Sequence, residues 1–191
     1  VTTNTYDARG NLISATDPLG NVTSNTYDAR GNKTSTTDPL GNATSYTYDS
    51  VGNMTRQTGP LGSTTTFTYD VNGNQLTQTT MRSLPSGGTE TITTTNEYDG
   101  MNRLVATTDT YGNTTRTEYN ANGKQSATVD KLGRRTEYEY DARGNLARTV
   151  YSDGMEETSA YDAEGRKLTS TDRAGRTTSY TYDALGRLTR T

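Results

Sequence analysis

Residues 6–27 read YDARGNLISATDPLGNVTSNTY and hold two turn signals and two short strands before the opening Tyr-Asp recurs at Tyr27. The first signal runs from Asp7 to Gly10. Asp at the head of a type I turn bonds its own backbone two residues on, and Gly at the fourth place accepts the left-handed conformation that closes a three-residue hairpin loop. The second signal runs from Asp17 to Gly20. The residues between the turns are rich in Thr and Tyr, which favour strands.

The unit recurs along the whole chain. Tyr followed by Asp or Asn stands at Tyr6, Tyr27, Tyr48, Tyr69, Tyr98, Tyr119, Tyr140, Tyr161 and Tyr182, always 21 residues apart except for one step of 29. The extra eight residues fall near 81–88 (MRSLPSGG), where Pro, Ser and paired Gly predict a longer surface loop in one hairpin. The first turn repeats as Asp28 to Gly31, Asp49 to Gly52, Asp70 to Gly73, Asp141 to Gly144, Asp162 to Gly165 and Asp183 to Gly186. The second repeats as Asp38 to Gly41, Gly59 to Gly62, Asp109 to Gly112, Asp130 to Gly133 and Asp172 to Gly175. Turns every 10 or 11 residues predict an all-β fold: tandem 21-residue hairpins in one array over 1–191, forming an antiparallel ribbon of about 17 strands. At ~4.8 Å per strand the ribbon is on the order of 80 Å long, and a twisted sheet so wide coils into a spiral, shell or tube.

A three-residue YDxxG loop sets Tyr opposite the second residue after Gly: Leu12, Lys33, Met54, Gln75, Leu104, Gln125, Leu146, Lys167 and Leu188. These long side chains cover a phenol ring, so the Tyr ladder reads as the packing spine. Two residues further out, an unbroken register pairs Tyr46 with Arg56, Tyr138 with Arg148 and Tyr180 with Arg190, a guanidinium over each ring worth ~0.5–1 kcal/mol. An odd period reverses the face unless one loop has an even residue count or each unit carries a bulge. The expectation places that adjustment at the DPLG turn.

Composition narrows the function. Only 28% of the 191 residues are hydrophobic, against ~45–50% in an ordinary globular domain, too few for a conventional core. The 14 Tyr and 42 Thr argue against disorder. With no Cys and no His there is no thiol nucleophile, disulfide, imidazole base or Cys/His zinc site. Lys and Arg (19) interleave with Asp and Glu (22) without a basic patch, which argues against nucleic acid, and no apolar run approaches a membrane span. Residues 1–95 carry 12 charged side chains and 96–191 carry 29, read as a change of surface within one architecture. The start at Val1 reads as a section of something longer.

The YDARGN, YDALGRLT, DPLGN and DRAGRTT units resemble the YD repeats, also called RHS repeats, of bacterial Rhs and wall-associated proteins, insecticidal toxin-complex C subunits and animal teneurins. The resemblance covers essentially the whole chain. It implies a β-ribbon spiralling into a hollow shell that, in the bacterial toxins, encloses a toxic C-terminal domain, in an exported or cell-surface setting. The chain departs from the full pattern in lacking a core-end motif with a self-cleaving aspartate site and a variable toxin domain after it.

The expected role is therefore a non-enzymatic scaffold without metal or cofactor. Its partners are further YD repeats of the same chain or other copies through strand edges, and an enclosed toxin domain. The alternative is a self-assembling extracellular filament or tube, and the weaker one a carbohydrate- or protein-binding module. One Asp per turn supplies a single carboxylate where calcium wants six to eight oxygens. Glu137, Glu139, Glu156 and Glu157 lack pocket-forming sequence around them. The Asn-x-Thr sites at Asn21, Asn32, Asn42, Asn53 and Asn113 read as turn and strand residues.

Overall fold

A computed structural model describes all residues, Val1–Thr191, and contains only strands and turns. The chain forms two compact units, Val1–Arg103 with Asp109–Tyr111, and Leu104–Thr108 with Gly112–Thr191. The first holds β1 (Thr3–Tyr6), β2 (Leu12–Thr16), β3 (Val22–Tyr27), β4 (Lys33–Thr37), β5 (Ala43–Tyr48), β6 (Met54–Thr58), β7 (Thr64–Tyr69), β8 (Gln75–Ser83) and β9 (Thr89–Tyr98). Each strand pairs antiparallel with the next, from β1–β2 through β8–β9.

The second unit repeats the meander with β10 (Leu104–Thr108), β11 (Thr114–Tyr119), β12 (Gln125–Val129), β13 (Arg135–Tyr140), β14 (Leu146–Val150), β15 (Glu156–Tyr161), β16 (Lys167–Thr171) and β17 (Thr177–Ser179). A last hairpin joins β18 (Thr181–Tyr182) to β19 (Leu188–Arg190). Tyr180 separates β17 from β18, while its N–H still donates to the Leu168 carbonyl at 2.9 Å.

The turns explain the hairpins. Asp7 N–H donates to Asn11 O at 3.0 Å and Gly10 N–H to Asp7 O at 3.1 Å, with Gly10 at φ +85°. That is a type I turn closed by a left-handed glycine. The DPLG turn is the same loop: Asp17 N–H donates to Asn21 O and Gly20 N–H to Asp17 O. Its pairs, Thr16 with Val22, Ala15 with Thr23 and Ser14 with Ser24, run without a shift.

The adjustment that an odd period demands therefore lies elsewhere than the expected DPLG turn. Tyr6 faces Leu12 but Thr5 faces Ser14, leaving Ile13 as an extra residue on β2. The same bulge follows at Thr34, Thr55, Leu76, Ser126, Ala147, Leu168 and Thr189. The extra residue reverses the pleat once per unit, so all spine tyrosines within a unit share a face.

The insertion is also more ordered than a loop. It lengthens both strands of one hairpin, to nine residues in β8 and ten in β9 against five in β6 and six in β7. Only Leu84–Gly88 turns, with the same bonding as its neighbours. This arm reaches about 13 Å past the line of DPLG turns at ~3.3 Å per residue.

The meanders are one layer thick. The chain exposes 12484 Å², where a compact globule of this mass exposes roughly 9,000 Å². Its buried apolar side chains are Ala106 and Ala127, its buried polar ones Asn25 and Thr149. Stability comes from ladder hydrogen bonds, turn locks and half-buried faces.

Candidate functional site: turn edges and tyrosine spine

Each turn aspartate is a bonding centre. Asp7 Oδ1 accepts the N–H groups of Arg9 and Asn11, both at 2.9 Å, and Oδ2 accepts Asn11 Nδ2 at 2.8 Å. Asp28, Asp49 and Asp141 repeat the arrangement with Asn32, Asn53 and Asn145, and Gly31, Gly52 and Gly144 close those turns at positive φ. Asp162, ahead of Gly165, instead accepts Arg166 Nε at 2.6 Å. The Asn cap thus gives way to Arg at Arg103, Arg134, Arg166, Arg176 and Arg187.

These bonds stabilise the ionised carboxylate. The Asn11, Asn21 and Asn42 side-chain amides hold Asp7, Asp17 and Asp38 below the usual carboxylate range. Arg103, Arg134 and Arg176 do the same to Asp99, Asp130 and Asp172. Each carboxylate is engaged inside its own turn, and no group of three metal-ligating side chains forms.

Two turns of the YD series escape the sequence pattern. Asp99 to Arg103 has Asn102 where its siblings have Gly, at φ +60°, and Asn tolerates that region better than most residues. Asn102 Oδ1 also accepts Nδ2 of Asn72 and of Asn74, at 2.9 and 2.8 Å. Asn120 takes the Asp role, its Oδ1 accepting the N–H groups of Asn122 and Lys124 at 3.0 Å. The signal for both was their 21-residue phase.

The spine tyrosines face the second residue after the glycine at Tyr6–Leu12, Tyr27–Lys33, Tyr48–Met54, Tyr69–Gln75, Tyr119–Gln125, Tyr140–Leu146, Tyr161–Lys167 and Tyr182–Leu188. Their hydroxyls have a role that the sequence did not announce. Tyr27 donates to Leu12 O, Tyr48 to Lys33 O, Tyr69 to Met54 O, Tyr119 to Leu104 O, Tyr161 to Leu146 O and Tyr182 to Lys167 O, at 2.8–3.1 Å. Tyr98 makes the same bond to Gln75 O at 3.1 Å across the insertion. The accepting carbonyls of Leu12, Lys33, Met54, Gln75 and Leu146 sit just ahead of a bulge, past the last ladder pair with the strand that carries the donor. Tyr140 differs: Lys124 Nζ lies 4.9 Å from its ring centre and bonds the Gly144 carbonyl.

The outer Tyr–Arg pairs are corrected by the bulge. Tyr46 faces Gln57, and Arg56 faces Thr47. Tyr138 faces Thr149, and Arg148 faces Glu139. Arg190 faces Thr181, and Tyr180 lies outside the strands. Cations instead meet rings at Lys124–Tyr140, Arg166–Tyr182, Lys167–Tyr161 and Arg173–Tyr151, with the last at 4.1 Å.

In the second unit, the face opposite the tyrosines carries ion pairs. Arg135 bridges Glu118 and Glu137 across β12, and Arg148 bridges Glu139 and Glu156. Ala127, opposite both Glu118 and Glu137, is fully covered. A shallow recess of about 630 Å³ lies nearby, lined in part by Tyr151, Asp153 and Arg173. Arg173 pairs with Asp153 there.

Repeated turn locks and hydroxyl ties define a tandem β-hairpin scaffold. The RHS repeat profile matches residues 6–43, 27–63, 48–89, 119–155 and 161–191, more than half of the chain. The chain belongs to the RHS repeat family.

Among solved structures it is similar to TcdB2–TccC3 without the hypervariable C-terminal region, with a TM-score of 0.75 and 16% identity over 98% of this chain and 11% of that one. It is also similar to the Photorhabdus luminescens Tc holotoxin pore, with a TM-score of 0.54 and 16% identity over 98% of this chain and 12% of that one. At this identity the likeness is one of fold, and the chain spans about a ninth of the first structure's length. Comparison with curated protein sequences returned no match. No helix is long and apolar enough to cross a membrane.

Proposed function

We propose that the chain is a wall segment of a secreted or cell-surface RHS-type shell, which encloses or displays another domain and performs no chemistry of its own. The observation that carries this reading is the bulge that recurs after the YD turns. A bulge bends its strand and increases local twist, so a ribbon with one per unit curves steadily in one sense. One-layer construction fits a wall, since a wall needs two accessible faces more than a core. Most of the turn arginines are bound to carboxylates, Arg103, Arg134, Arg166, Arg176 and Arg187 within their own turns and Arg173 to Asp153, which leaves little free basic charge for nucleic acid. The likeness to TcdB2–TccC3 supports the same reading at the level of fold.

Electron cryomicroscopy of the longest natural protein containing this array tests it. A closed wall around internal density, with the array protected from protease, supports the proposal. An open rod digested on both faces, or uniform filaments of the array, would overturn it.

A further inference from the structure

The chain holds Asn-Gly twice, at Asn72–Gly73 and Asn122–Gly123, each time at the third and fourth places of a YD-series turn. Asn-Gly is chemically labile, because glycine has no side chain to keep its nitrogen from closing on the amide before it. Here each glycine nitrogen is held back. Gly73 N–H donates to Asp70 O at 3.1 Å and Gly123 N–H to Asn120 O at 2.9 Å, so ring closure waits for the turn to open locally.

The two turns are not locked alike. Asp70 Oδ1 accepts the N–H groups of Asn72 and Asn74, both at 2.9 Å, and its Oδ2 accepts Asn74 Nδ2 at 2.8 Å. Asn72 Nδ2, the group that would leave, donates to Asn102 Oδ1 at 2.9 Å. The head of the other turn is a neutral amide: Asn120 Oδ1 accepts the Asn122 and Lys124 N–H groups at 3.0 Å. Bonds to a carboxylate are roughly twice as strong as those between neutral groups. Lys124 stands where Asn74 caps its own turn, and its Nζ goes instead to the Gly144 carbonyl. The exposed Asn122 side chain bonds no protein group.

We infer that Asn122 is a site of spontaneous modification, which deamidates through a succinimide ahead of Asn72 and loosens the β11–β12 hairpin as it does so. The Gly123 nitrogen bonds to Asn122 Cγ as the Cγ–Nδ2 bond breaks, and the glycine proton leaves with Nδ2 as ammonia. Water then opens the ring. Attack at Cγ leaves an ordinary aspartate, while attack at the main-chain carbonyl leaves isoaspartate, whose backbone runs through Cβ and Cγ and is longer by a carbon. A loop lengthened in this way no longer brings Gly123 N–H onto Asn120 O. The affected hairpin carries the fully covered Ala127 and Glu118, which Arg135 bridges to Glu137.

Incubation of the full chain at mildly alkaline pH tests this, with both sites followed by peptide mass mapping and isoaspartate identified by electron-transfer fragmentation. In the folded chain Asn122 should convert about fivefold faster than Asn72, the factor that one turn hydrogen bond lends to an opening equilibrium. In urea, where neither turn is formed, the two should convert at similar rates. Asn120→Asp should slow conversion at Asn122, and Asn102→Gly should speed it at Asn72 alone. Chains carrying isoaspartate should show faster amide exchange across β11 and β12. Equal rates in the folded chain, a ratio unchanged in urea, an Asn120→Asp variant that converts as fast as its parent, or unaltered exchange in the isoaspartate form overturns the inference.

Discussion

The Tyr48 hydroxyl donates to the Lys33 carbonyl at 2.8 Å, while the Tyr48 backbone pairs on its other side with Met54. One side chain thus ties the start of one bulged strand to the end of the strand before the next. Burial, and then the nearby Tyr46 and Asp28, push the phenol above its ordinary pKa, so it remains a donor through neutral pH. Repetition of this tie makes each repeat depend on its neighbour, the nearest-neighbour coupling of tandem-repeat folds.

Tyr48→Phe keeps the ring and removes the tie. The Lys33 carbonyl then loses a hydroxyl donor, which costs about 1 kcal/mol of stability. Urea unfolding read by tyrosine fluorescence should show a lower midpoint, with faster amide exchange concentrated in β4 and β5. An unchanged midpoint and exchange pattern would mean that the hydroxyl bond adds nothing over water.

Acid should weaken the ribbon through its turns. Asp7, Asp17, Asp38, Asp99, Asp130 and Asp172 all have lowered pKa values in the folded chain, through the amides or guanidiniums at their Oδ2 atoms. The unfolded chain, with carboxylates near 3.9, binds more protons in this range. Their contribution is therefore present above about pH 4 and lost as pH falls through the lower folded values. Melting temperature should hold steady from pH 7 to 5 and drop below 4, and Asp38→Asn should lower it at pH 7 while reducing the drop. A melting temperature that stays level or rises down to pH 2 contradicts this assignment.

Gly144 tests the left-handed position where it is most crowded. At φ +87° any side chain is strained, and a Cβ there would sit 2.5 Å from Lys124 Nζ and 2.9 Å from Cε. Gly10 has nearly the same φ, +85°, in open space. Gly144→Val should cost about 1–3 kcal/mol from the backbone alone. Gly144→Ala should cost more than Gly10→Ala, because Lys124 must leave its place over Tyr140. Equal losses for the two alanine variants in calorimetry would show that Lys124 moves aside freely.

Hairpin turns were legible because their chemistry is local: Asp, Gly and a three-residue spacing suffice at Asp7–Gly10 and at Asp17–Gly20 alike. The bulge was not, since a period of 21 fixes parity without saying where the odd residue sits. That one residue decides whether Arg56 meets Tyr46 or Thr47, so the error passed to all three outer pairs. The matching chemistry of the two turns was the available clue, because identical loops push the extra residue into a strand. The tyrosine hydroxyl bonds follow from the same bulge, whose displaced carbonyls they satisfy, and were hidden with it. Asn102 escaped because its turn lacks the glycine that marks the others.

Gly59 offers a test in the stabilising direction. Its turn has the family geometry, with Gly59 N–H donating to Ser63 O at 2.8 Å and Gly62 N–H to Gly59 O at 3.0 Å, but no carboxylate stands at its head. Gly59 itself does not adopt a positive φ, so an L-residue fits the backbone. A Cβ there would meet Ser63 Oγ at 2.9 Å, a hydroxyl that can rotate and donate to a new carboxylate. Gly59→Asp should let Oδ1 accept the Leu61 and Ser63 N–H groups, as Asp17 accepts those of Leu19 and Asn21. Removal of glycine freedom from the unfolded chain adds about 0.4–1 kcal/mol in the same direction. The melting temperature should rise at pH 7 and the gain should shrink below pH 4. A gain equal at both pH values would assign it to the lost glycine freedom alone, and a fall would show that the Ser63 side chain cannot yield.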